Sequence, residues 1–224
     1  MSAVAPDRSA LSGLVSGVAF LSGVAGGLGL SDAPYPRPGS DLATVRRYFQ
    51  DNARSARISA AGQLVCAVTL ARFTASVVSL AGRTQAGTRL VQAVAATGGA
   101  VAATSLAASA AYTAALSGPA GRDDERTRTM HRRAFLAGGI VHGFGFGLLV
   151  GALGVVGRRT GALPAPLART ALASGAASVA SPLYLVAPSS AVLIPAGRFS
   201  GLVVDAIAAV LLARGRADGA AVAG

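Results

Sequence analysis

Three side chains in this sequence are of types that do chemistry and lie where such types are costly. Arg72, His142 and Asp205 each sit inside a long apolar run. If those runs cross a bilayer, a charge at mid-helix costs roughly 2.5–3.5 kcal/mol on insertion scales. Ionisable groups at such depth are functional candidates by default. Two arrangements follow. In one, the three form a polar site at mid-depth, with Asp205 and His142 relaying protons or holding a cation. In the other, an Arg72–Asp205 ion pair fixes helix positions and His142 hydrogen-bonds a neighbouring Ser or Thr. The runs that carry Arg72 and Asp205 are the second and the sixth, so they run parallel. The two residues also lie at similar depths, which is compatible with pairing.

Other site chemistries are poorly supplied. His131 and His142 are the only imidazoles and Cys66 the only thiol. A transition-metal site needs a richer set of ligands, and no metal or cofactor is expected. A disulfide framework is excluded because Cys66 has no partner in the chain. Its place in an apolar run makes it an inert packing residue. The segment Gly143-Phe144-Gly145-Phe146-Gly147 is glycine-rich, but a dinucleotide fingerprint requires a preceding strand and an acidic residue downstream. Neither is present. An intramembrane enzyme acting on lipid would need a nucleophile or paired acids near the interface. The runs offer neither, so the expectation leans away from an enzyme.

The elements that must position these residues follow from composition. The chain has 224 residues, of which 52% are hydrophobic and 13% charged, with a net charge of +11. Soluble domains carry about 25% charged residues. A strongly basic chain suggests nucleic acid, but no Trp and few aromatics leave little for bases to stack on. All basic residues are Arg, and apart from Arg72 they mark the loops and edges of apolar runs. No single basic face collects them, so nucleic acid is not an expected partner. The expected partners are the lipid bilayer and its anionic headgroups.

A helix crossing the hydrocarbon needs about 20 largely apolar residues. Runs of that kind occupy about 11–30, 58–81, 90–117, 134–157, 170–187 and 192–213. The fold class is therefore all-α: a polytopic transmembrane helix bundle of about six spans in one domain, 1–224, expected in the plasma membrane. The first run is longer than the apolar region of a signal peptide and lacks a clear cleavage site, so it is read as an uncleaved span. Pro182 is expected to kink the fifth run. The sixth spans only if Leu193–Ser200 joins it, with Arg198 snorkelling to the interface. Segment 31–57 is an extramembrane loop containing an amphipathic helix. Leu42, Val45 and Phe49 share one face there, with Tyr48 beside them; Arg46, Arg47 and Gln50 face away. That helix either lies on the headgroups or packs over the bundle end. The Arg tally alone leans toward an outside N-terminus. The purely basic loops 82–89 and 158–169 favour an inside one, which is the orientation adopted.

The sharpest pattern is Gly139, Gly143, Gly147 and Gly151, each four residues apart. On a helix this makes a glycine ridge along which another backbone can approach closely. Packing within one bundle is the leading reading, and dimerisation to a homo-oligomer is the other.

Several stretches carry a resemblance. They are Val141-His142-Gly143-Phe144-Gly145-Phe146-Gly147-Leu148, Arg158-Arg159-Thr160-Gly161-Ala162-Leu163-Pro164, Ser181-Pro182-Leu183-Tyr184-Leu185 and Ile194-Pro195-Ala196-Gly197-Arg198-Phe199-Ser200-Gly201-Leu202. Together they resemble a family of small, uncharacterised multi-pass membrane proteins of the domain-of-unknown-function type, common in actinobacteria. The first span, the Pro-containing loop and the helix near Val45–Asn52 are similar too. The resemblance implies about six spans, a plasma-membrane location and no established activity, and it adds no catalytic residues. The functional expectation is an integral membrane protein, non-enzymatic, with a packing or accessory role. The alternative is a small transporter or channel using Arg72, His142 and Asp205.

Overall fold

The computed structural model describes residues 6–82, 89–119 and 123–215. A 3₁₀ turn, Arg8–Leu11, capped by the Asp7 side chain, leads into α1, Ser12–Gly29. The Pro-rich loop follows, since Pro cannot donate a helical hydrogen bond. Asp41 then starts α2, Leu42–Asp51, by accepting the Thr44 N–H at 2.9 Å. The helices α3, Ala53–Gly82, and α4, Arg89–Leu116, are the two long antiparallel neighbours. Asp123 caps α5, Asp124–Phe135, which passes through one π-helical turn, Leu136–Val141, into α6, His142–Thr160. Gly161, with φ of 70°, closes α6 in the left-handed conformation that a side chain would resist. Then come α7, Ala165–Val179, two 3₁₀ turns, and α8, Leu193–Arg214.

The architecture is the expected all-α bundle. Among the described residues five helical segments are long and apolar enough to cross a membrane: Arg8–Gly29, Ala53–Gly82, Arg89–Leu116, Asp124–Thr160 and Pro188–Arg214. The fifth apolar run behaves differently from its expected bounds of 170–187. Its α-helix starts at Ala165 and stops at Val179. Fifteen residues reach about 22 Å at 1.5 Å per residue, short of a hydrocarbon core of about 30 Å. Pro182 does not kink a helix here; it lies in the 3₁₀ turn Ser181–Leu185 beyond the helix end. The first 3₁₀ turn thus replaces the last α-helical turn, because Pro removes the donor an α-helix would need.

The helices close a ring in which α1 packs on α3, α3 on α4, α4 on α6, α6 on α7, α7 on α8 and α8 back on α1. The innermost is α6. Its apolar window is 72% buried, against at most 50% for the other four. Phe73, Leu70, Leu106, Phe146, Leu149 and Leu153 fill the centre. Glycines set the closest approaches. A Cβ on Gly147 would lie 2.6 Å from the Gly175 carbonyl of α7, and one on Gly98 of α4 would lie 2.7 Å from the Gly145 carbonyl. The ridge faces α7 at Gly143 and Gly147, and Gly151 lies under Gly175. Gly139 meets only Phe135 of its own helix. It lies within the π turn, whose extra residue rotates it off the line of the other three.

The helix α2 packs over the bundle end. Val45, Tyr48 and Phe49 are buried together with Ala56 and Leu116 in a second, smaller core. An ion pair between Arg46 and Asp124, at 2.5 Å, joins α2 to α5.

Candidate functional site

The three residues singled out by type do not converge. Arg72 is exposed on the outer side of α3 and makes no ion pair or hydrogen bond among the described residues. No Arg72–Asp205 ion pair forms. His142 is buried at the start of α6. Its Nδ1–H donates to the Ala102 carbonyl of α4 at 3.0 Å, since a carbonyl can only accept. Its ring stacks on Phe146, with centroids 5.6 Å apart. The expected partner was a Ser or Thr, but the bond goes to backbone. Asp205 is 1% exposed on α8, and neither of its carboxyl oxygens has a hydrogen-bond partner.

The residue that composition did not single out is Arg198. It was expected to snorkel outward from α8. Its guanidinium instead turns into the bundle, over the Phe20 ring at 5.3 Å, and donates from Nη2 to the carbonyls of Gly138 and Gly139. The reason lies in the π turn. In an α-helix the His142 N–H would bond to the Gly138 carbonyl four residues back. Here it bonds to Ala137 and Gly139, and Gly138 is passed over. Arg198 takes that oxygen. Two further side chains donate to carbonyls in and just before the turn: Ser181 to Ile140 at 3.1 Å and Ser109 to Ala134, at the end of α5, at 3.0 Å. In lipid, loosened backbone groups must be satisfied by protein. Three surrounding segments therefore hold the turn in place. π turns of this kind recur at functional sites.

Arg198 carries an uncompensated charge. No carboxylate lies within 4 Å of it among the described residues, and its Nε is buried without a partner. Asp205 lies on the same face of α8, seven residues on, which is two turns or about 10 Å along the axis. Beside Arg198, Ser16, Cys66, His142, Phe146 and Leu202 pack so tightly that no water fits. The Cys66 thiol is buried there, 3.2 Å from the Ser16 hydroxyl.

On the other side of Arg198 the packing opens. A cavity of about 310 Å³ lies between the C-terminal half of α1, the N-terminal half of α3, the C-terminal half of α4, the π turn and the start of α8. Phe20, Val24, Leu106 and Phe135 give it apolar walls, and its polar lining is Arg198, Gln63, Ser59, Ser109, Thr113, Tyr35 and Tyr48. The Gln63 Oε1 is buried and unpartnered as well. An apolar hollow with a few placed polar groups is the form a small-molecule site takes, at the small end of the usual range of about 300–1,000 Å³. Among the described residues no group of three or more His, Cys, Asp or Glu stands ready for a metal ion. A sequence signal for Arg198 did exist. The adjacent pair Gly138-Gly139 weakens a helix locally, and Gly197 and Gly201 flank the Arg so that α8 can press it inward.

No family model, curated protein or solved structure matches this chain. The site's geometry and the five helices apolar enough to cross a membrane are therefore what define it: a multi-pass helical membrane protein with a cavity that ends on a half-buried Arg.

Proposed function

We propose that this protein is a non-enzymatic component of the plasma membrane whose bundle holds a small apolar molecule. The observation that carries this reading is the open-sided cavity of about 310 Å³ at one end of the helix ring, lined by α1, α3, α4 and α8. Natural cores are packed nearly free of voids, so a hollow of this size with few polar groups fits a ligand better than it fits packing alone. The surrounding groups suit binding rather than conversion. They provide no nucleophile beside a base, no pair of carboxyls and no metal ligand set. The exposed Arg residues at the helix ends suit contact with anionic headgroups. The sequence resemblance to small multi-pass membrane proteins is compatible with this accessory role.

Native mass spectrometry of the protein released from its own membranes tests the reading. The wild type is expected to retain a one-to-one small-molecule adduct after delipidation. Val24→Trp, which fills the cavity with an indole, is expected to lose it at unchanged thermal stability. Identical spectra without adduct in both would refute the reading.

A transport reading draws on Asp205, a buried carboxyl whose oxygens have no partner. Such a group within a span is a natural carrier of a proton or cation. It predicts acidification inside proteoliposomes under an imposed potential, abolished by Asp205→Asn. The absence of any flux dependent on the wild-type protein would remove it.

A further inference from the structure

We infer that the cavity takes a single-chain aliphatic carboxylate, with its anionic head on Arg198 and its chain along the apolar walls. The inference rests on the cavity being the binding site and adds the chemistry of what fills it.

A guanidinium drawn partly out of water, with its Nε buried, is costly unless it is paired. Arg198 has two backbone carbonyls and the face of Phe20, which disperse its charge but do not neutralise it. Of its five N–H donors, only those on Nη2 are engaged. Nε is buried and unpartnered, and Nη1 makes no hydrogen bond among the described residues. The missing element is one negative charge. Asp205 does not supply it, since no carboxylate lies within 4 Å of Arg198 among the described residues. The one place from which an anion can reach the guanidinium is the cavity that Arg198 lines.

Shape and polarity narrow the ligand. Most of the lining surface is apolar, with Phe20, Val24, Leu106 and Phe135 offering an aliphatic chain its burial beside a few hydroxyls such as Ser59 and Thr113. At about 310 Å³ the hollow suits a single aliphatic chain. A phosphate monoester brings a charge of about −1.5 to −2, more than a single cation neutralises in an apolar surround. A carboxylate matches it one to one. The Gln63 amide faces the same space and offers N–H donors to the second carboxylate oxygen.

The test uses the full chain in phosphatidylcholine nanodiscs and tritiated decanoate as the probe. Decanol, decyl phosphate and inorganic phosphate serve as competitors. The wild type is expected to bind decanoate saturably and to prefer it over decanol by at least tenfold, a comparison that needs no variant. Arg198→Gln is expected to weaken decanoate by roughly ten- to a hundredfold, the worth of one charge-assisted hydrogen bond. Arg198→Lys is expected to restore part of the loss. Equal affinity for decanoate and decanol in the wild type overturns the carboxylate assignment while leaving the cavity as a site for neutral molecules. Stronger competition by decyl phosphate or inorganic phosphate overturns it in favour of a phosphate head. No saturable binding of any probe, in a protein that melts cooperatively, removes both the assignment and the cavity reading.

Discussion

Gly147 and Gly151 lie four residues apart on one face of α6, yet alanine at the two positions has opposite consequences. A Cβ at Gly147 would stand 2.6 Å from the Gly175 carbonyl oxygen, 2.7 Å from the Val179 nitrogen and 2.8 Å from the Ser178 Cβ. Two of those three atoms are backbone, so no rotamer relieves the clash, and α6 and α7 must separate. Overpacking a tight contact costs about 1–3 kcal/mol, or a fall in Tm of about 2–12 °C for a chain of this size. A Cβ at Gly151 meets nothing within 4 Å. There the change gains helix propensity, worth up to about 1 kcal/mol. Cys66 supplies the assay, because it is the only thiol and is 2% exposed in the fold. A thiol-reactive dye therefore reports unfolding in detergent without an added label. Gly147→Ala is expected to melt earlier than wild type, and Gly151→Ala at or above it. Equal shifts in the two variants would refute the inference that glycine at 147 is required by the approach of α7. Gly147→Leu extends the test and is expected to prevent correct folding.

Three further outcomes follow from the same structure. Asp205→Leu is expected to raise the melting temperature, since it removes a buried polar group without a partner, worth about 1–3 kcal/mol; a fall would mean that the carboxyl is satisfied in the membrane. Asp41 is held below the ordinary carboxylate range, first by the Thr44 hydroxyl and then by the Thr44 N–H. Its contribution to α2 is therefore full above the unfolded value of about 3.9 and lost as pH falls through the lower folded one. Amide exchange in α2 should accelerate across that acid window in the wild type, and Asp41→Ala should remove the dependence. The Arg46–Asp124 pair is half exposed to solvent, so Asp124→Asn should shift stability by no more than about 1 kcal/mol and by less in high salt. A larger change would mean that α2 depends on this pair rather than on Val45, Tyr48 and Phe49.

Much of the bundle is legible in the sequence because a bilayer imposes long apolar runs with charges at their ends. The segments Ala53–Gly82 and Arg89–Leu116 fall close to the runs that hydropathy marks. The glycine spacing of α6 likewise reports a real approach, since Gly143 and Gly147 both face α7. Two features escape a reading based on regular geometry. The fifth run is shortened because Pro182 ends α-helical bonding before the apolar residues end. The π turn at Leu136–Val141 shifts hydrogen-bond partners by one, which no apolar periodicity records. That shift also explains why Arg198 was misplaced. By position it is an edge residue free to snorkel, but a passed-over carbonyl inside the bundle gives it a better partner than water. The candidate residues were identifiable by cost, not by arrangement. Which of them meet depends on how α8 rotates against α6 and α7, where Gly197 packs on Ser178 and Gly201 on Phe146.

The direction of the Arg198 side chain is the point on which the cavity, its uncompensated charge and the ligand chemistry all depend. Solid-state NMR of the ¹³C,¹⁵N-labelled protein in phosphatidylcholine bilayers measures it directly. A correlation between the Arg198 guanidinium nitrogen and the Gly138 carbonyl carbon, with none to lipid phosphorus, is the expected result. A contact between that guanidinium and lipid ³¹P, with the Gly138 correlation missing, would contradict the account.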